Sequence, residues 1–357
     1  MRILVTGAAG FIGAHLLMAL FREMKGVSII GLDNLNDYYD PSLKKYRLEG
    51  IAGACRDCGG AAESSVWKFI EGDIADKDLV MDIFNDFKPE IVVNLAAQAG
   101  VRNSILNPDS YIRSNVTGFF NILEACRHSY DGGCAGVRHL VYASSSSVYG
   151  SNSKVPYSVS DMTDSPVSLY AATKKSDELM AYAYSKLYDI PATGLRFFTV
   201  YGPAGRPDMA YYSFADAMVE GRKFHVYNYG ECMRDFTYIG DIVKGIIAVM
   251  KHAPERRKDS DGLPVAPHRI YNIGKGTPEK LMDFLEILGE ELVSARVLPS
   301  DFDLRSHLEM FPMQPGDVAV TFADTSALEQ DFHYIPDTGL REGLRKFALW
   351  YRDYYRL

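Results

Sequence analysis

Tyr170 and Lys174 set a phenol and an ammonium four residues apart, and on a helix positions i and i+4 share a face. Such a pair can move a proton. A free phenol titrates near ~10 and is a poor base at neutral pH, whereas a fixed cation close by favours its phenolate. Tyr170 can then serve as a general base. Tyr and Lys at this spacing also meet by chance on many helices, so the elements that must position them carry the argument.

Those elements begin at the N-terminus. Met1 to Val5 is a short apolar run with β-branched residues, followed by Thr6-Gly7-Ala8-Ala9-Gly10-Phe11-Ile12-Gly13 and a helical pattern through His15, Leu16, Ala19 and Leu20. This spells strand, glycine turn, helix. Gly7 permits the tight turn, Gly10 lets the backbone approach a pyrophosphate, and Gly13 allows the helix to pack closely on the strand. The helix start at Phe11 and Ile12 offers free N–H groups and the positive end of a dipole. The next strand ends at Asp33-Asn34, where a carboxylate accepts hydrogen bonds from adenosine ribose hydroxyls and repels a 2′-phosphate. The cofactor expected is therefore NAD.

Further strand ends extend the same site. Asp73 can reach an adenine amino group and Ile74 can pack on the ring, with a helix-capping role as the alternative for Asp73. A buried strand at 91–95 runs into Ala96-Ala97-Gln98, small residues suited to close passage of a cofactor. Residues 111–128 read as one long helix, with Asn115 facing the strand ends. A strand at 139–143 leads into Ser144-Ser145-Ser146-Ser147 at the carboxyl edge of the sheet, where ligands of such folds bind. Residues 52–65, rich in Gly, Ala and Ser, read as an exposed loop.

Composition narrows the class. The chain has 357 residues, 47% hydrophobic and 24% charged, which suits a large core or two lobes. A formal net charge of -8 argues against a nucleic-acid binder. No apolar run reaches the roughly eighteen residues that cross a bilayer, and no signal-peptide pattern precedes the first strand, so a soluble cytoplasmic protein is expected. Five scattered cysteines fit a reducing compartment. Cys55 and Cys58 form a C-x-x-C without a second pair to complete a tetrahedral site, so no metal is expected.

With the glycine turn, the serine run and Tyr170/Lys174 in place, the chain resembles the extended short-chain dehydrogenase/reductase family, in its nucleotide-sugar epimerase branch. The runs Asn36-Asp37-Tyr38-Tyr39-Asp40-Pro41, Gln98-Ala99-Gly100-Val101-Arg102, Tyr170-Ala171-Ala172-Thr173-Lys174-Lys175 and Arg196-Phe197-Phe198-Thr199-Val200-Tyr201-Gly202-Pro203 look like those of enzymes that epimerise UDP-glucuronate at C4. Asn94, Asn103 and Gly240 depart from that pattern. The resemblance implies an α/β fold: a Rossmann-like doubly wound parallel sheet over about residues 1–200, and a smaller C-terminal α/β lobe over 201–357 that binds the UDP-sugar, with some elements returning to the first domain.

By the same resemblance, Ser145, Tyr170 and Lys174 are catalytic. Ser145 shares the sugar 4-OH with the tyrosine, and Lys174 also reaches the nicotinamide ribose. Ser146 and Ser147 occupy positions where related dehydratases carry an Asp-Glu pair, so elimination of water has no evident proton donor here. Substrate contacts are assigned to Ser145, Ser146, Ser147, Thr199, Arg206 (a sugar carboxylate), Arg234 (the diphosphate, by its guanidinium fork) and Asp317 (the uridine ribose). Epimerisation of a neutral UDP-hexose and decarboxylation of UDP-glucuronate are the neighbouring reactions. A homodimer through the helices at 111–128 and 169–188 is implied, with no nucleic-acid or membrane partner.

Overall fold

Ile3, Leu4 and Val5 are all buried, as a strand covered on both faces requires, and they form the core of β1 (Arg2–Thr6). The computed structural model describes residues 1–57, 65–313 and 319–357. After β1 come α1 (Phe11–Glu23), β2 (Ser28–Asp33), α2 (Pro41–Asp57), β3 (Val66–Glu71), α3 (Lys77–Phe87), β4 (Ile91–Asn94), α4 (Phe119–His128), β5 (His139–Ser145), α5 (Leu169–Tyr188) and β6 (Ala192–Phe197). The seven-stranded sheet runs His268–Ile273, β6, β5, β4, β1, β2, β3. Every ladder from β6 to β3 is parallel. The chain winds outward from β1 through β2 to β3, then returns to place β4 on the other side of β1. That reversal makes the switch point at which doubly wound sheets hold ligands.

Two glycines set the turn after β1. Gly7 has φ +69°, and a Cβ there would stand 2.8 Å from the Ala96 nitrogen. At Gly13 a Cβ would lie 2.1 Å from the Gly7 carbonyl oxygen, so only glycine lets α1 pack this tightly on its own entry turn. On the opposite side of β1, the Thr6 hydroxyl donates to Asn94 Oδ1 at 2.6 Å and accepts from the Ala96 N–H at 3.2 Å, joining the ends of β1 and β4.

Two elements differ from the sequence reading. The helix α2 runs on to Asp57, because Ile51 and Ala54 bury an apolar stripe against α1, so residues 52–57 of the expected loop are helical; residues 58–64, Cys58 among them, lie outside the described residues. The long helix expected at 111–128 is three pieces: a short α-helical turn Pro108–Tyr111, a π-helical segment Ile112–Gly118, and α4. The wide turn is where Asn115 sits, and π-helical turns recur at functional sites.

The chain divides into two compact units. One comprises Met1–Asn152, Met162–Phe197 and Val243–Tyr271; the other comprises Ser153–Asp161, Phe198–Ile242 and Asn272–Leu357. In the first, Leu4, Ile30, Val92 and Leu140 on the sheet meet Ile83 and Phe84 of α3 and Phe119 and Ile122 of α4. In the second, helices Ala210–Val219, Leu281–Ser294 and Leu340–Tyr355 gather an aromatic core of Tyr201, Tyr211, Tyr212, Phe236, Phe284 and Phe347. Phe347 packs edge-on to Tyr211 with ring centroids 5.0 Å apart. Edge-to-face pairs of this kind add to the free energy of burial itself.

Two substitutions probe these interiors. Phe347→Ala leaves a cavity amid four aromatic rings and is expected to cost about 3–5 kcal/mol; a denaturant midpoint unchanged from wild type would contradict the packing. Gly13→Ala sets a methyl 2.1 Å from the Gly7 carbonyl oxygen, a backbone atom, so the turn itself must shift. It is expected to destabilise by about 1–3 kcal/mol, read as a fall in the thermal midpoint.

Candidate active site

The helix α1 begins at Phe11 with Gly10 as its N-cap, and no side chain caps it. Its first-turn N–H groups thus meet no side-chain acceptor from the cap, the arrangement that receives a phosphate at a helix start. At the neighbouring strand end, Asp33 is buried, with Oδ2 accepting from the Ala9 N–H at 3.1 Å and Oδ1 from the Leu35 N–H at 2.9 Å. Asn34 is exposed and its Oδ1 accepts from the Asn36 N–H. A glycine cradle too tight for a Cβ, an uncapped helix start and a buried carboxylate twenty positions past Gly13 together fit a dinucleotide.

Sequence reasoning missed two cations here. Arg47 on α2 is 1% exposed and donates to the Ala9 carbonyl at 3.0 Å and to the Tyr39 hydroxyl at 2.6 Å. Lys44, one turn earlier, reaches Asn36 Oδ1 at 2.9 Å and stands 3.8 Å from Asp33. Burial lowers the pKa of Lys44, and the Asp33 charge offsets part of that. The sequence signal was present, since Lys44 and Arg47 lie three apart. The loop reading of the stretch that follows hid the length of their helix.

Deeper in the unit, Asp73 accepts from the Ala75 N–H at 2.9 Å and pairs with Arg113 at 3.2 Å, while the cap of α3 is Asp76. Ile74 is buried; Ala96 and Ala97 are partly exposed. Asn115 bonds the protein through both ends of its amide. Oδ1 accepts from the Gln98 N–H at 2.8 Å, and Nδ2 donates to the Gln98 carbonyl and to Thr173 Oγ1, both at 3.0 Å. It fixes the Gln98 backbone to α5 one residue before Lys174.

The helix α5 starts where the Ser168 side chain accepts from the Ala171 N–H at 3.1 Å, which puts Tyr170 in the first turn. The Tyr170 ring stands edge-on to Tyr111 at 6.1 Å. Lys174 is 3% exposed, and its ammonium donates to the Ala143 carbonyl of β5 at 3.0 Å and to Asp177 Oδ2 at 3.1 Å. Two residues beyond Ala143, the Ser145 hydroxyl donates to Ser147 Oγ at 3.1 Å and accepts the Ser147 N–H, while Ser146 opens the short helix Ser146–Tyr149. The structure thus brings Ser145 and Lys174 to one strand end.

A buried pair holds this register. Arg196 of β6 forks onto Glu178 of α5 at 2.7 and 2.8 Å, and the Ser144 hydroxyl donates to the same carboxylate at 2.7 Å. Burial would raise the Glu178 carboxyl, but the Arg196 guanidinium and Ser144 outweigh it and hold the group below its ordinary value. The pairing of Glu178 with Arg196 was not legible in the sequence, although Arg196 opens one of the runs that carry the resemblance, because an arginine inside a strand pattern does not announce its partner.

In the second unit the expected substrate residues have these surroundings. The Thr199 N–H donates to the Asp235 carbonyl at 3.2 Å. Arg206 is clamped by Asp208, with Nε 2.9 Å from Oδ1. Arg234 donates from Nη1 to the Met233 and Ala319 carbonyls at 3.0 Å. Next to it, the buried Asp235 carboxylate accepts from the N–H groups of Lys275, Gly276 and Ala323 and from the Thr237 hydroxyl, tying three chain segments around Arg234. Asp317 lies outside the described residues.

Comparison with known proteins supplies the family. Residues 3–274 match the model of the NAD dependent epimerase/dehydratase family. The chain is 45% identical to Protein CapI of Staphylococcus aureus over the full length of both. It is 44% identical to UDP-glucuronate 4-epimerase 4 of Arabidopsis thaliana, over 99% of this chain and 76% of that one. Among solved structures it superposes on a Bacillus cereus UDP-glucuronic acid 4-epimerase in complex with UDP-glucuronic acid and NAD, with TM-score 0.79, 29% identity and coverage of 99% and 100%. A Thermotoga maritima UDP-glucose 4-epimerase with UDP-glucose follows at TM-score 0.77, 27% identity and coverage of 99% and 100%. On the match across residues 3–274 and the full-length likenesses around it, the chain belongs to the NAD dependent epimerase/dehydratase family.

Proposed function

We propose that this chain is an NAD-dependent 4-epimerase that interconverts UDP-glucuronate and UDP-galacturonate. The observation that carries the reading is the cluster at the end of β5. The Lys174 ammonium bonds the Ala143 carbonyl two residues before Ser145, Tyr170 lies one turn before Lys174, and Ser146 and Ser147 leave no carboxyl acid to drive elimination. The full-length likeness to plant UDP-glucuronate 4-epimerases supports the substrate.

Bound NAD supplies the hydride acceptor, and later donor, at C4. The chain's own residues handle the proton. Ser145 hydrogen-bonds the 4-OH, and Tyr170 removes its proton as the C4–H bond breaks, leaving a 4-keto sugar. The ring turns over about its diphosphate link and presents its opposite face, and Tyr170 gives the proton back. C4 is inverted without net redox change. Lys174 favours the phenolate by its charge, Arg234 holds the diphosphate by its fork, and Asp317 holds the uridine ribose.

Arg206 is assigned to the sugar carboxylate. Its pairing with Asp208 favours a second reading, a neutral UDP-hexose as substrate, since a guanidinium already neutralised gives less to a uronate. The cofactor site is assigned to Gly7, Gly10, Phe11, Ile12, Gly13, Asp33, Asn34, Asp73, Ile74, Ala96, Ala97, Gln98, Asn115, Tyr170 and Lys174. A homodimer is supported by exposed apolar side chains on α4 and α5, Phe120, Leu179, Tyr182 and Leu187. Free thiols at Cys55, Cys126, Cys134 and Cys232 support a cytoplasmic site. No described helix is long and apolar enough to cross a membrane.

Mixing the protein with UDP-glucuronate and following the sugar protons by NMR tests the reaction. UDP-galacturonate is the expected product, while UDP-xylose with carbon dioxide would replace the proposal with a decarboxylase. Tyr170→Phe, which keeps the ring and loses the acid–base oxygen, is expected to lower kcat by about 10²–10⁴-fold; undiminished turnover would overturn the assignment. Arg206→Ala is expected to lower kcat/KM for UDP-glucuronate at least about tenfold and spare UDP-glucose, since a charge-assisted contact contributes ~1.5–3 kcal/mol. Equal losses on both substrates favour the neutral-sugar reading.

A further inference from the structure

One buried ionisable group beside the proposed catalytic set has no role in the scheme above. Asp177 is 2% exposed and sits three residues beyond Lys174, on the same face of α5. Its Oδ2 takes the Lys174 ammonium at 3.1 Å, and its Oδ1 is buried without a hydrogen-bond partner among the described residues. Buried carboxylates nearly always satisfy both oxygens, so a half-satisfied one beside the proposed catalytic lysine calls for an explanation. The Lys174 ammonium has three protons to give. Ala143 and Asp177 take two, and one remains to point elsewhere.

We propose that Asp177 is a positioning residue for Lys174: its buried carboxylate holds the ammonium against the Ala143 carbonyl and offsets part of the positive field that the ammonium exerts on Tyr170. The proposal rests on the reading of Tyr170 as the proton acceptor. From their own helix, Lys174 and Glu178 face Asp177. From β5 comes Tyr142, whose buried phenol feels both carboxylates, and from β6 comes Arg196, whose charge Glu178 takes up. Lys174 is thus the one cation that Asp177 contacts directly among the described residues.

The consequence is a coupling between two protons. Burial pushes the Asp177 carboxyl up to about 7, with the Lys174 charge pulling the other way and the Glu178 charge adding to the rise. Below that value Asp177 is neutral and the full ammonium field acts on Tyr170. Above it, the new negative charge 3.1 Å from the ammonium cancels part of that field just as solvent protons become scarce. The charge that Lys174 presents to its surroundings therefore falls as pH rises through the Asp177 titration.

The test uses the whole protein with carboxyl-¹³C aspartate. The resonance absent from Asp177→Asn is expected to titrate with a midpoint near 7, and to titrate higher still in Lys174→Met, which removes the cation; this arm needs no turnover. A midpoint below about 5 overturns the coupling near neutral pH, and no response to Lys174→Met overturns the pairing, whatever the enzyme's substrate. In the kcat–pH profile with UDP-glucuronate, Asp177→Asn is expected to move the acid limb down by about half a pH unit or more and to steepen it. Asp177→Ala is expected to show the same displacement and a severalfold lower kcat, because the amide no longer holds the ammonium. An Asp177→Asn profile that superimposes on wild type overturns the field effect. If Tyr170→Phe is as active as wild type, the epimerase scheme fails, and the two outcomes are told apart by the carboxyl titration.

Discussion

The buried carboxylate of Glu178 is the fastening on which the placement of α5 depends. Three elements converge on it: α5 supplies the acid, β6 the forked guanidinium of Arg196, and β5 the Ser144 hydroxyl. Removing one partner from such a buried pair leaves a bare charge, at a cost of about 3–5 kcal/mol. The pair therefore fixes register more than it adds stability. With Glu178 pinned to the end of β5, the turn before it has little choice. Lys174 must lie against Ala143, and the first turn, begun by the Ser168 cap, must carry Tyr170.

The same logic, carried by different chemistry, organises the turn after β1. There the constraint is steric. Gly7 and Gly13 exist because the backbone passes within a Cβ's reach of itself and of Ala96. Arg47 then reaches across from α2 to the Ala9 carbonyl, and Asp33 accepts the Ala9 N–H from the strand next door. One residue of the turn is held from two sides, so the approach path for a dinucleotide is set before any ligand arrives. Preorganisation of this kind lowers the entropic cost of binding.

The parts legible in the sequence were those whose meaning is local. A glycine triplet between an apolar run and a helical period, an acid at the next strand end, and a phenol one turn from an ammonium can each be read within about twenty residues. The pieces that escaped reading depend on distant partners. Arg196 lies 18 positions from Glu178, and Asp235 collects N–H groups from as far as Ala323. No period in the sequence encodes such meetings. The π-helical segment Ile112–Gly118 was invisible for another reason. Its side-chain pattern suits an α-helix, and the wider turn is where Asn115 takes up its bonds to Gln98 and Thr173. In the last helix the pattern is again local: Leu344, Phe347 and Tyr351 repeat at helical spacing and are buried.

On the proposed chemistry, Asp177 bears on the hardest demand placed on a uronate epimerase. A 4-keto uronate is a β-keto acid, and losing carbon dioxide moves negative charge from the carboxylate to the oxygen on C4. A strong cation at that oxygen would stabilise the resulting enolate, whereas a cation at the carboxylate stabilises the acid as it stands. The two placements pull in opposite directions. Lys174 is the ammonium nearest to Tyr170 in sequence on α5, and it is shared with a carboxylate and a carbonyl rather than left bare. An ammonium shared in this way still favours the phenolate but offers less to an enolate. A neutral run of serines at the end of β5 adds no further positive charge there. On the proposed chemistry such an arrangement is graded: a shared ammonium favours removal of one proton from a hydroxyl and gives little help to breaking the sugar's carbon–carbon bond.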